Sequence, residues 1–596
     1  MSVKFNCYFP AEKPFFFVIK VDSNSMIVEL LEEIAVELKD YGREFKRTDL
    51  HLFKTDVPTK PKGTLLERAL QWLHEQPADS ELDEMDSLSL AFPHGPHPIN
   101  HLKLDIIVAD AEVLEMVDGL GDPYDVYKRK VKKALNECLN NRLSLPSPSE
   151  LAKKPEKLDE VFGGEEHGIH IGRPGGAPAA IFNPALAALQ QSLGDLEQVD
   201  ISEDEASQAA NYIRCAVKFY ASEDLHQKAI KELVDAAIGE TGEWQRPVNM
   251  AHGHDITPDR CWRYDPFVLE LKNTLGVYGD ALLQAIIDYS RIVSEDEYKP
   301  FRETCNFPIV LIGVTANRLE ISIAVCVGPI YVTKLLTLDL SFGFHASDNV
   351  IQLARVFKIL SRHRVELKNY YRNFENSTPP RLSCLFPNPT PIDPSKPLPK
   401  LTYRQFLSRA GQPTPDLVDL GGCTTAMYVA TLDDTSEEVI VKFTARYNEA
   451  AHHLLAKAEL APKLYFCERV VGDLYMVVME RVSGISVWQL QQDKTPIPEI
   501  VLTKVKEAVR LLHQKDLVFG DLRSNNILYV LVENRVVLVD FDWPGKDGEG
   551  RYPATLNRST DMSNTWHKWV LPHGVMHKEH DLWLMEQLKV LCKPNV

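Results

Sequence analysis

The sequence has few cysteines and no pattern that would pair them. Its 596 residues include ten cysteines, scattered singly, without a Cys-x-x-Cys pair or a Cys/His spacing typical of structural zinc. This absence argues against a disulfide framework and a zinc module. It predicts a reduced compartment and no structural metal.

Long apolar runs are also missing. A membrane-spanning helix needs about 18 to 20 apolar residues, and the best segment, residues 307–332, is interrupted by Arg318 and Glu320. The N-terminus alternates in polarity from Ser2 to Phe9, instead of presenting a basic pair and an apolar core. The sequence therefore predicts no membrane span and no ordinary secretory signal, while unconventional export stays open.

Positive charge is in deficit as well. The formal net charge of −18 argues against a globally basic nucleic-acid binder, although a local basic groove remains compatible with it. The length exceeds what one hydrophobic core supports and suggests about three or four domains.

The first 110 residues have the pattern of a ubiquitin-like β-grasp roll. Two strands are predicted before a helix and two after it, because residues alternate with period two in the strands and repeat on one face in the helix. The predicted strands are Val3–Phe9, Phe15–Val21, Asp49–Lys54 and Leu102–Val108, and the helix carries Ile27, Leu30, Leu31, Ile34 and Leu38 on one face.

This region resembles the N-terminal, ubiquitin-like domain of Crinkler proteins, effectors and effector-like proteins of oomycetes and fungi. The resemblance lies in Leu50-His51-Leu52-Phe53-Lys54 and in the apolar Leu104–Val108, although the first element lacks the second Leu-Ala pair of the family. The resemblance implies secretion and entry into a host cell, often to the nucleus. The alternative is a generic β-grasp interaction module of a cytoplasmic protein.

The rest of the chain divides into two further globular regions joined by linkers. Residues 111–205 read as a linker with helical segments, including a basic stretch at 127–141, and residues 376–401 as a proline-rich linker. Between them lies a globular region, residues 206–375, and the last domain covers residues 402–596. The predicted fold class is a multidomain α+β protein without internal repeats.

The last domain contains the motif Gly520-Asp521-Leu522-Arg523-Ser524-Asn525-Asn526, followed by two apolar strands and Asp540-Phe541-Asp542. A helix bearing Val501, Val505, Val509 and Leu512 precedes it. Asp521, Asn526 and Asp540 are thereby predicted at one edge, which suits phosphoryl transfer. Asp521 is the predicted catalytic base, Asn526 and Asp540 are Mg²⁺ ligands, and Arg523 lies near the transferred phosphate.

An upstream half completes the pattern of a two-lobed, protein-kinase-like domain that uses ATP. Lys442 is a single charge in an apolar strand, as a phosphate-binding lysine requires, and Glu449 is its predicted ion-pair partner. Glu480 lies in a segment that resembles the adenine-binding hinge, and Asp581 resembles the aspartate that braces the catalytic loop.

Several departures from the kinase pattern concern activity. Phe519-Gly520 replaces His-Arg, Asp542 replaces a glycine, no Ala-Pro-Glu motif is present, and Gly421–Thr425 is no regular phosphate loop. A catalytically dead pseudokinase is therefore the main alternative for this domain.

The middle region carries a second candidate site. Glu270 and Lys272 share one face of an apolar strand, and Asp259 precedes them where a hairpin strand would place it beside them. Two carboxylates and a lysine suit metal-assisted phosphodiester hydrolysis, and the region resembles the restriction-endonuclease-like PD-(D/E)XK fold. A solvated Glu-x-Lys ion pair is the plainer alternative, and Glu223 is a possible further acid.

The leading interpretation is a Crinkler-type effector or conflict protein that uses ATP and Mg²⁺ to phosphorylate hydroxyl groups of a host or target protein. One alternative is a DNA-cleaving nuclease effector with a pseudokinase domain, in which Asp259, Glu270 and Lys272 are indispensable. The other is a scaffold without enzymatic activity.

Overall fold

The computed structural model describes most of the chain. Its description excludes residues 1, 11–13, 41–44, 47–48, 60–64, 76–79, 84–85, 98–102, 111–112, 115–116, 118–122, 144, 147–156, 163–166, 172–175, 240–242, 245–259, 263–264, 274–279, 296–297, 299–300, 376–379, 409–410, 418–425, 557–565 and 593–596. Asp259 and the Gly421–Thr425 segment fall outside the described residues. The chain forms two compact units, Met1–Lys130 and Val131–Val596.

Helices and strands occur throughout both units. The helices are α1 (Ile27–Asp40), α2 (Leu65–Glu75), α3 (Leu88–Ala91), α4 (Pro123–Leu143), α5 (Lys157–Phe162), α6 (Pro184–Gly194), α7 (Glu203–Ala216), α8 (Glu223–Ile238), α9 (Ala281–Ser294), α10 (Ala346–Glu375), α11 (Glu449–Ala456), α12 (Val487–Gln492), α13 (Glu499–His513) and α14 (Lys578–Leu591). In the described residues no helix is both long enough and apolar enough to cross a membrane.

The strands belong to five sheets in the described residues. They are β1 (Ser2–Phe9), β2 (Phe15–Asp22), β3 (His51–Lys54), β4 (Ile106–Ala109), β5 (Ile169–His170), β6 (Glu243–Trp244), β7 (Arg260–Trp262), β8 (Asp265–Lys272), β9 (Ile309–Thr315), β10 (Arg318–Cys326), β11 (Ile330–Asp339), β12 (Leu401–Phe406), β13 (Ala426–Leu432), β14 (Glu438–Thr444), β15 (Leu464–Val470), β16 (Leu474–Glu480), β17 (Ile485–Ser486), β18 (Leu517–Val518), β19 (Ile527–Val530), β20 (Arg535–Leu538) and β21 (Gly545–Lys546).

The first unit is a four-stranded mixed sheet with the order β2-β1-β4-β3. Strands β1 and β4 are parallel neighbours in its centre, and the outer pairs are antiparallel. Helix α1 buries the apolar face formed by residues three to four positions apart, because this spacing follows the helical period. The buried residues of this face are Ile27, Leu30, Leu31, Ile34 and Leu38.

The seven-stranded half of the second unit, residues 131–375, is built on the sheet β5-β11-β10-β9-β8-β7-β6. Strands β8 and β9 are parallel and are joined through helix α9, whereas β9, β10 and β11 are antiparallel neighbours. Strand β9 and most of β10 are buried, which explains their nearly continuous apolar sequences. The long helix α10 packs on α6, α7, α8 and β8.

Both segments predicted as linkers contribute to this compact unit, which differs from the sequence-based division. Strand β5, within residues 111–205, adds to the sheet by pairing with β11. In the proline-rich segment, Leu385 is buried and the Phe386 ring stacks on Phe406 with centroids 4.5 Å apart. Apolar residues inside these segments make tertiary contacts, which a composition rich in proline and glycine does not reveal.

The two-lobed half, residues 401–596, begins with the antiparallel sheet β12-β13-β14-β16-β15. A mainly helical lobe follows, in which α13, α14 and the hairpin β19-β20 surround one apolar core. The apolar positions predicted for α13 are buried in this core, namely Val501, Val505, Val509 and Leu512.

Candidate active site between the two lobes

Lys442 is the residue that the five-stranded sheet contributes to the candidate site. It lies on β14, where it pairs in register with Met427 of β13 and Val477 of β16. Side chains alternate between the faces of a strand, so Lys442 and Thr444 point to the helical lobe while Phe443 points to the opposite face. Lys442 is buried, and its ammonium is held by side chains of that lobe.

The loop between β18 and β19 carries the predicted catalytic residues. Asp521 is buried, and its carboxylate accepts two hydrogen bonds from Arg523, through Nε and, at 2.8 Å, through Nη2. Asn526 donates its Nδ2 to the carbonyl oxygen of Asp521 at 2.9 Å. Burial raises the pKa of Asp521 above its usual value although Arg523 opposes the change, and a raised pKa favours proton acceptance by this carboxylate.

Asp581 of α14 holds this loop in place. Its two carboxylate oxygens accept the backbone N–H groups of Phe519 and Gly520, each at 2.8 Å. Oδ2 also lies 3.0 Å from His513 Nε2. The bracing contact that the sequence predicts for Asp581 is therefore present.

Gly520 is required by the shape of the loop. Its φ of +79° lies in the left-handed region, and a Cβ atom at this position would overlap Met576 Cε. Only glycine adopts such a conformation without strain. The backbone conformation of this loop therefore requires glycine at position 520, directly before Asp521.

Asp540 follows β20 and meets Lys442. Its φ is +69°, which is uncommon for a residue with a side chain and is found where the surroundings enforce it, often at functional sites. Lys442 Nζ lies 2.6 Å from Asp540 Oδ1 and 2.7 Å from Asp542 Oδ1. Two carboxylates therefore share one lysine.

The two carboxylates that share Lys442 have different pKa values. Burial alone would raise the pKa of Asp540, but Lys442 holds it below its usual value. Burial and the neighbouring Asp540 raise the pKa of Asp542 to about 6, against the lowering effect of Lys442. The pKa of Lys442 would be lowered by burial but is raised by its two partners, so the lysine stays charged.

The prediction that Glu449 pairs with Lys442 is wrong. Glu449 is the first residue of α11, its side chain is 54% exposed, and its Oε1 lies 3.4 Å from His453 Nε2 on the same helix. The inward positions of α11 are occupied by Ala451, His452 and Leu455. Lys442 consequently finds its carboxylate partners in the Asp540–Asp542 segment.

The side chain of Glu480, predicted as a cofactor contact, is instead bonded to other residues of the protein. Glu480 ends β16, as predicted, but its carboxylate accepts hydrogen bonds from Arg535 at 2.9 and 3.2 Å and from the Lys463 N–H at 2.9 Å. Arg535 holds the pKa of Glu480 below its usual value, although burial opposes this. The carboxylate therefore joins β16 to β20, and the likeness of this segment to an adenine-binding hinge stays a prediction.

The groups at the lobe junction fit a Mg²⁺ ion. Because Asn526 uses its Nδ2 for Asp521, its Oδ1 oxygen is left for a cation, and Asp540 supplies a carboxylate with 37% exposure. Among the described residues, no group of three or more His, Cys, Asp or Glu side chains is arranged to hold a metal. Mg²⁺ takes few protein ligands and completes its shell with water and phosphate, so an amide oxygen and a carboxylate are suitable protein contacts for it.

Three residues near Arg523 and Lys442 were missed by the sequence reasoning. The Arg523 guanidinium lies over the rings of Trp543 and Trp566, at 5.7 and 4.9 Å from their centroids. Thr444 donates its hydroxyl to Asp542 Oδ2 at 2.8 Å. Period two on β14 could have indicated Thr444, whereas no sequence signal joins Trp566 to Arg523.

The predicted site of the seven-stranded half is described in part. Glu270 and Lys272 lie two residues apart on β8, and Glu270 is fully buried. Lys272 Nζ lies 3.3 Å from Oε2 of Glu223, the first residue of α8. The structure thus brings Lys272 to the acid that the sequence offered as a further candidate, while Asp259 lies outside the described residues.

Comparisons with known proteins give little beyond this geometry. No protein-family model and no curated protein matches the sequence. Among solved structures, the kinase PK-1 of Cydia pomonella granulovirus is similar to part of the chain, with 14% identity and a TM-score of 0.25, over 32% of this chain and 68% of that chain. A likeness at this score identifies neither family nor activity, so function must be argued from the residues.

Proposed function

We propose that the two-lobed half is a phosphotransferase that moves the γ-phosphoryl group of ATP to a hydroxyl group, with a protein as the substrate class and Mg²⁺ as the cofactor. The observation that carries this proposal is the meeting of Lys442, from the sheet, with Asp540, from the helical lobe, at 2.6 Å. Asp521 and Asn526 lie on the neighbouring loop and are linked by a hydrogen bond.

Each residue has a defined role in this reaction. Lys442 binds phosphate oxygens, and Arg523 supplies a second positive charge beside Asp521. Asp521 accepts the proton as the hydroxyl oxygen bonds to the γ-phosphorus, while the bond to the β–γ bridging oxygen breaks and ADP leaves. Mg²⁺, held by Asn526 and Asp540, would neutralise phosphate charge. Positioning and charge, which these residues provide, are the main requirements of this chemistry.

The test is ATP turnover by the full chain with Mg²⁺, measured as transfer of labelled γ-phosphoryl to protein and as release of phosphate. Lys442→Met and Asp540→Asn are expected to lower turnover by at least about a hundredfold, since each removes a charge that acts on the phosphates. Lys515→Met, which removes an exposed lysine of the same lobe, is the matched control.

The outcomes separate the active enzyme from its alternatives. Loss of turnover in both variants, with normal turnover in the control, supports the proposal. Wild-type protein that binds a fluorescent ATP analogue without turning it over is a pseudokinase. Wild-type protein that neither binds nor turns over nucleotide refutes the proposed function.

For the first unit we propose the role of a ubiquitin-like Crinkler N-terminal domain, in a secreted effector that acts in a host or competitor cell. Support comes from the order β2-β1-β4-β3, with parallel central strands and helix α1 after the first hairpin. The full chain fused to a fluorescent protein is expected to accumulate in the nucleus of a plant or fungal cell. Uniform cytoplasmic fluorescence would instead favour an intracellular interaction module.

A second candidate activity is metal-dependent DNA cleavage by the seven-stranded half. It is favoured by the contact of Lys272 with Glu223 beside the buried Glu270, because a lysine among carboxylates can orient the attacking water at a metal. Plasmid nicking with Mg²⁺ that is lost in Glu270→Gln and Lys272→Met, but retained in Lys442→Met, would assign the activity. Absence of nicking by the wild type excludes it under those conditions.

A further inference from the structure

The carboxylates that contact Lys442 belong to the loop after β20 and not to helix α11. Lys442 Nζ contacts Asp540 Oδ1 at 2.6 Å and Asp542 Oδ1 at 2.7 Å. Glu449, on the helix, contacts His453 and is more than half exposed. Burial strengthens the contact with Asp542, whose side chain is 12% exposed, because solvent screens buried charges little.

Asp542 is itself fixed by the strand that carries the lysine. Its Oδ2 accepts the Thr444 hydroxyl at 2.8 Å, while its Oδ1 accepts Lys442. Lys442 and Thr444 are two residues apart on β14 and so lie on one face of the sheet. Both oxygens of Asp542 are therefore engaged by a single strand, whereas Asp540 is 37% exposed and faces the junction of the lobes.

The backbone around Asp542 is also bonded to Asn448, the residue that precedes helix α11. Asn448 donates its backbone N–H to the Phe541 carbonyl and its Nδ2 to the Pro544 carbonyl, both at 2.9 Å. The His452 ring stacks on the Phe541 ring with centroids 4.4 Å apart and planes 2° apart. His452 thus occupies the inward side of α11 and packs on the loop that presents Asp542.

We propose that Asp542 is the positioning residue that keeps Lys442 directed at the phosphates, in place of the helix glutamate, and that Asp540 is thereby free to leave the lysine for Mg²⁺. This inference rests on the proposed phosphotransferase function. It explains an aspartate where the kinase pattern has glycine, and it assigns Thr444 to the support of Asp542.

The contact can be tested without nucleotide, metal or activity. The full chain is treated with a small acylating reagent at neutral pH, and the rate of modification of Lys442 is measured by mass spectrometry. Asp542→Asn is expected to raise this rate about tenfold, because the buried ammonium then keeps only one of its two carboxylate contacts and reaches the reagent more often. Glu449→Gln is expected to change it less than about twofold, in line with its exposed position.

Thr444→Val keeps the charge of Asp542 but removes its hydroxyl support, and we expect an intermediate rise of about threefold. The exposed Lys463 and Lys515 serve as internal references for the reagent concentration, and an unchanged thermal midpoint by circular dichroism shows that the variants remain folded. A rise in Glu449→Gln equal to that in Asp542→Asn, or no rise in either aspartate or threonine variant, overturns the assignment.

Kinetics then separate positioning from metal binding. Asp542→Asn is expected to lower kcat at least tenfold with little change in the Mg²⁺ concentration for half-maximal rate, whereas Asp540→Asn raises that concentration. If Asp542→Asn raises it as well, Asp542 is a metal ligand and the proposed division of roles is wrong. If the wild type has no phosphotransfer activity, the proposed function fails, while the acylation result still decides the contact.

Discussion

Replacement of Asp581 by asparagine tests what holds the loop between β18 and β19. The carboxylate is fully buried and accepts the N–H groups of Phe519 and Gly520, both at 2.8 Å. Asparagine has the same size, but one of its two terminal atoms becomes an NH₂ donor that faces a backbone N–H. The substitution therefore removes one acceptor and the negative charge without leaving a cavity.

The expected free-energy change has two sources: the hydrogen bond that Asp581 no longer accepts, and the backbone N–H group that is left without an acceptor. A hydrogen bond to a charged group contributes about 1.5–3 kcal/mol, and a buried polar group left without a partner costs about 1–3 kcal/mol. Since part of both is recovered by local relaxation, we expect the loop to lose about 2–4 kcal/mol of protection against opening. Every 1.4 kcal/mol is tenfold, so amide exchange in the loop should become roughly 30- to 1,000-fold faster.

Hydrogen–deuterium exchange of the full chain, read by mass spectrometry on peptides that cover residues 517–523, measures this effect. Local exchange does not require the whole chain to unfold in one step. Asp516→Asn is the matched control, because this aspartate is 71% exposed and pairs with Lys578 at 2.6 Å, a surface pair worth about 0–1 kcal/mol. Unchanged exchange in Asp581→Asn, or equal acceleration in the control, would refute the bracing role.

Three further substitutions test other parts of the second unit. Gly520→Ala, which strains the positive φ and meets Met576, should lower the thermal midpoint by calorimetry by more than about 3 °C, and Met576→Ala in the same chain should restore part of it. Burial lowers the pKa of His452 to about 4 from 6.5, so the unfolded chain binds a proton that the fold rejects. Stability should therefore fall as pH drops from 6.5 to 4, by up to about 3 kcal/mol, and denaturant titrations of His452→Gln should show a weaker fall. Arg142→Met removes a buried guanidinium that donates to the His167 and Gly328 carbonyls, and denaturant titration should show a loss of about 2–4 kcal/mol.

Local sequence signals were sufficient to predict the hairpin that follows Asn526 and the strand that carries Lys442. The hairpin predicted at 527–539 is observed as β19 and β20, because two apolar runs flank a polar turn in which Asn534 has a φ of +48°. Lys442 was predicted from one charge in an apolar strand, and the structure places it 2.6 Å from Asp540. The hairpin and the strand position of Lys442 depend on residues close together in sequence, whereas the contact of Lys442 with Asp540 joins residues 98 positions apart.

Contacts between residues that are far apart in sequence could not be predicted from local signals. The sequence offers Lys442 several carboxylates, and the preference for Asp542 over Glu449 depends on the rotation of α11, which His452 fixes by stacking on Phe541. The tertiary packing of the proline-rich segment through Phe386 is likewise non-local. Such contacts connect residues far apart in sequence, so periodicity and propensity carry no information about them.

The sheet face opposite Lys442 packs towards the seven-stranded half, and this packing constrains which related chains can keep its aromatic residues. Phe406, Tyr428 and Phe443 line this face, and the turn at Gly472 lies against Pro178 and Ile181 of the seven-stranded half. The three rings share a cavity with Phe182 and Tyr331, so a chain without the seven-stranded half would expose part of an aromatic patch, which is rare on a monomeric protein. Related chains that retain the aromatic positions are therefore expected to carry both halves.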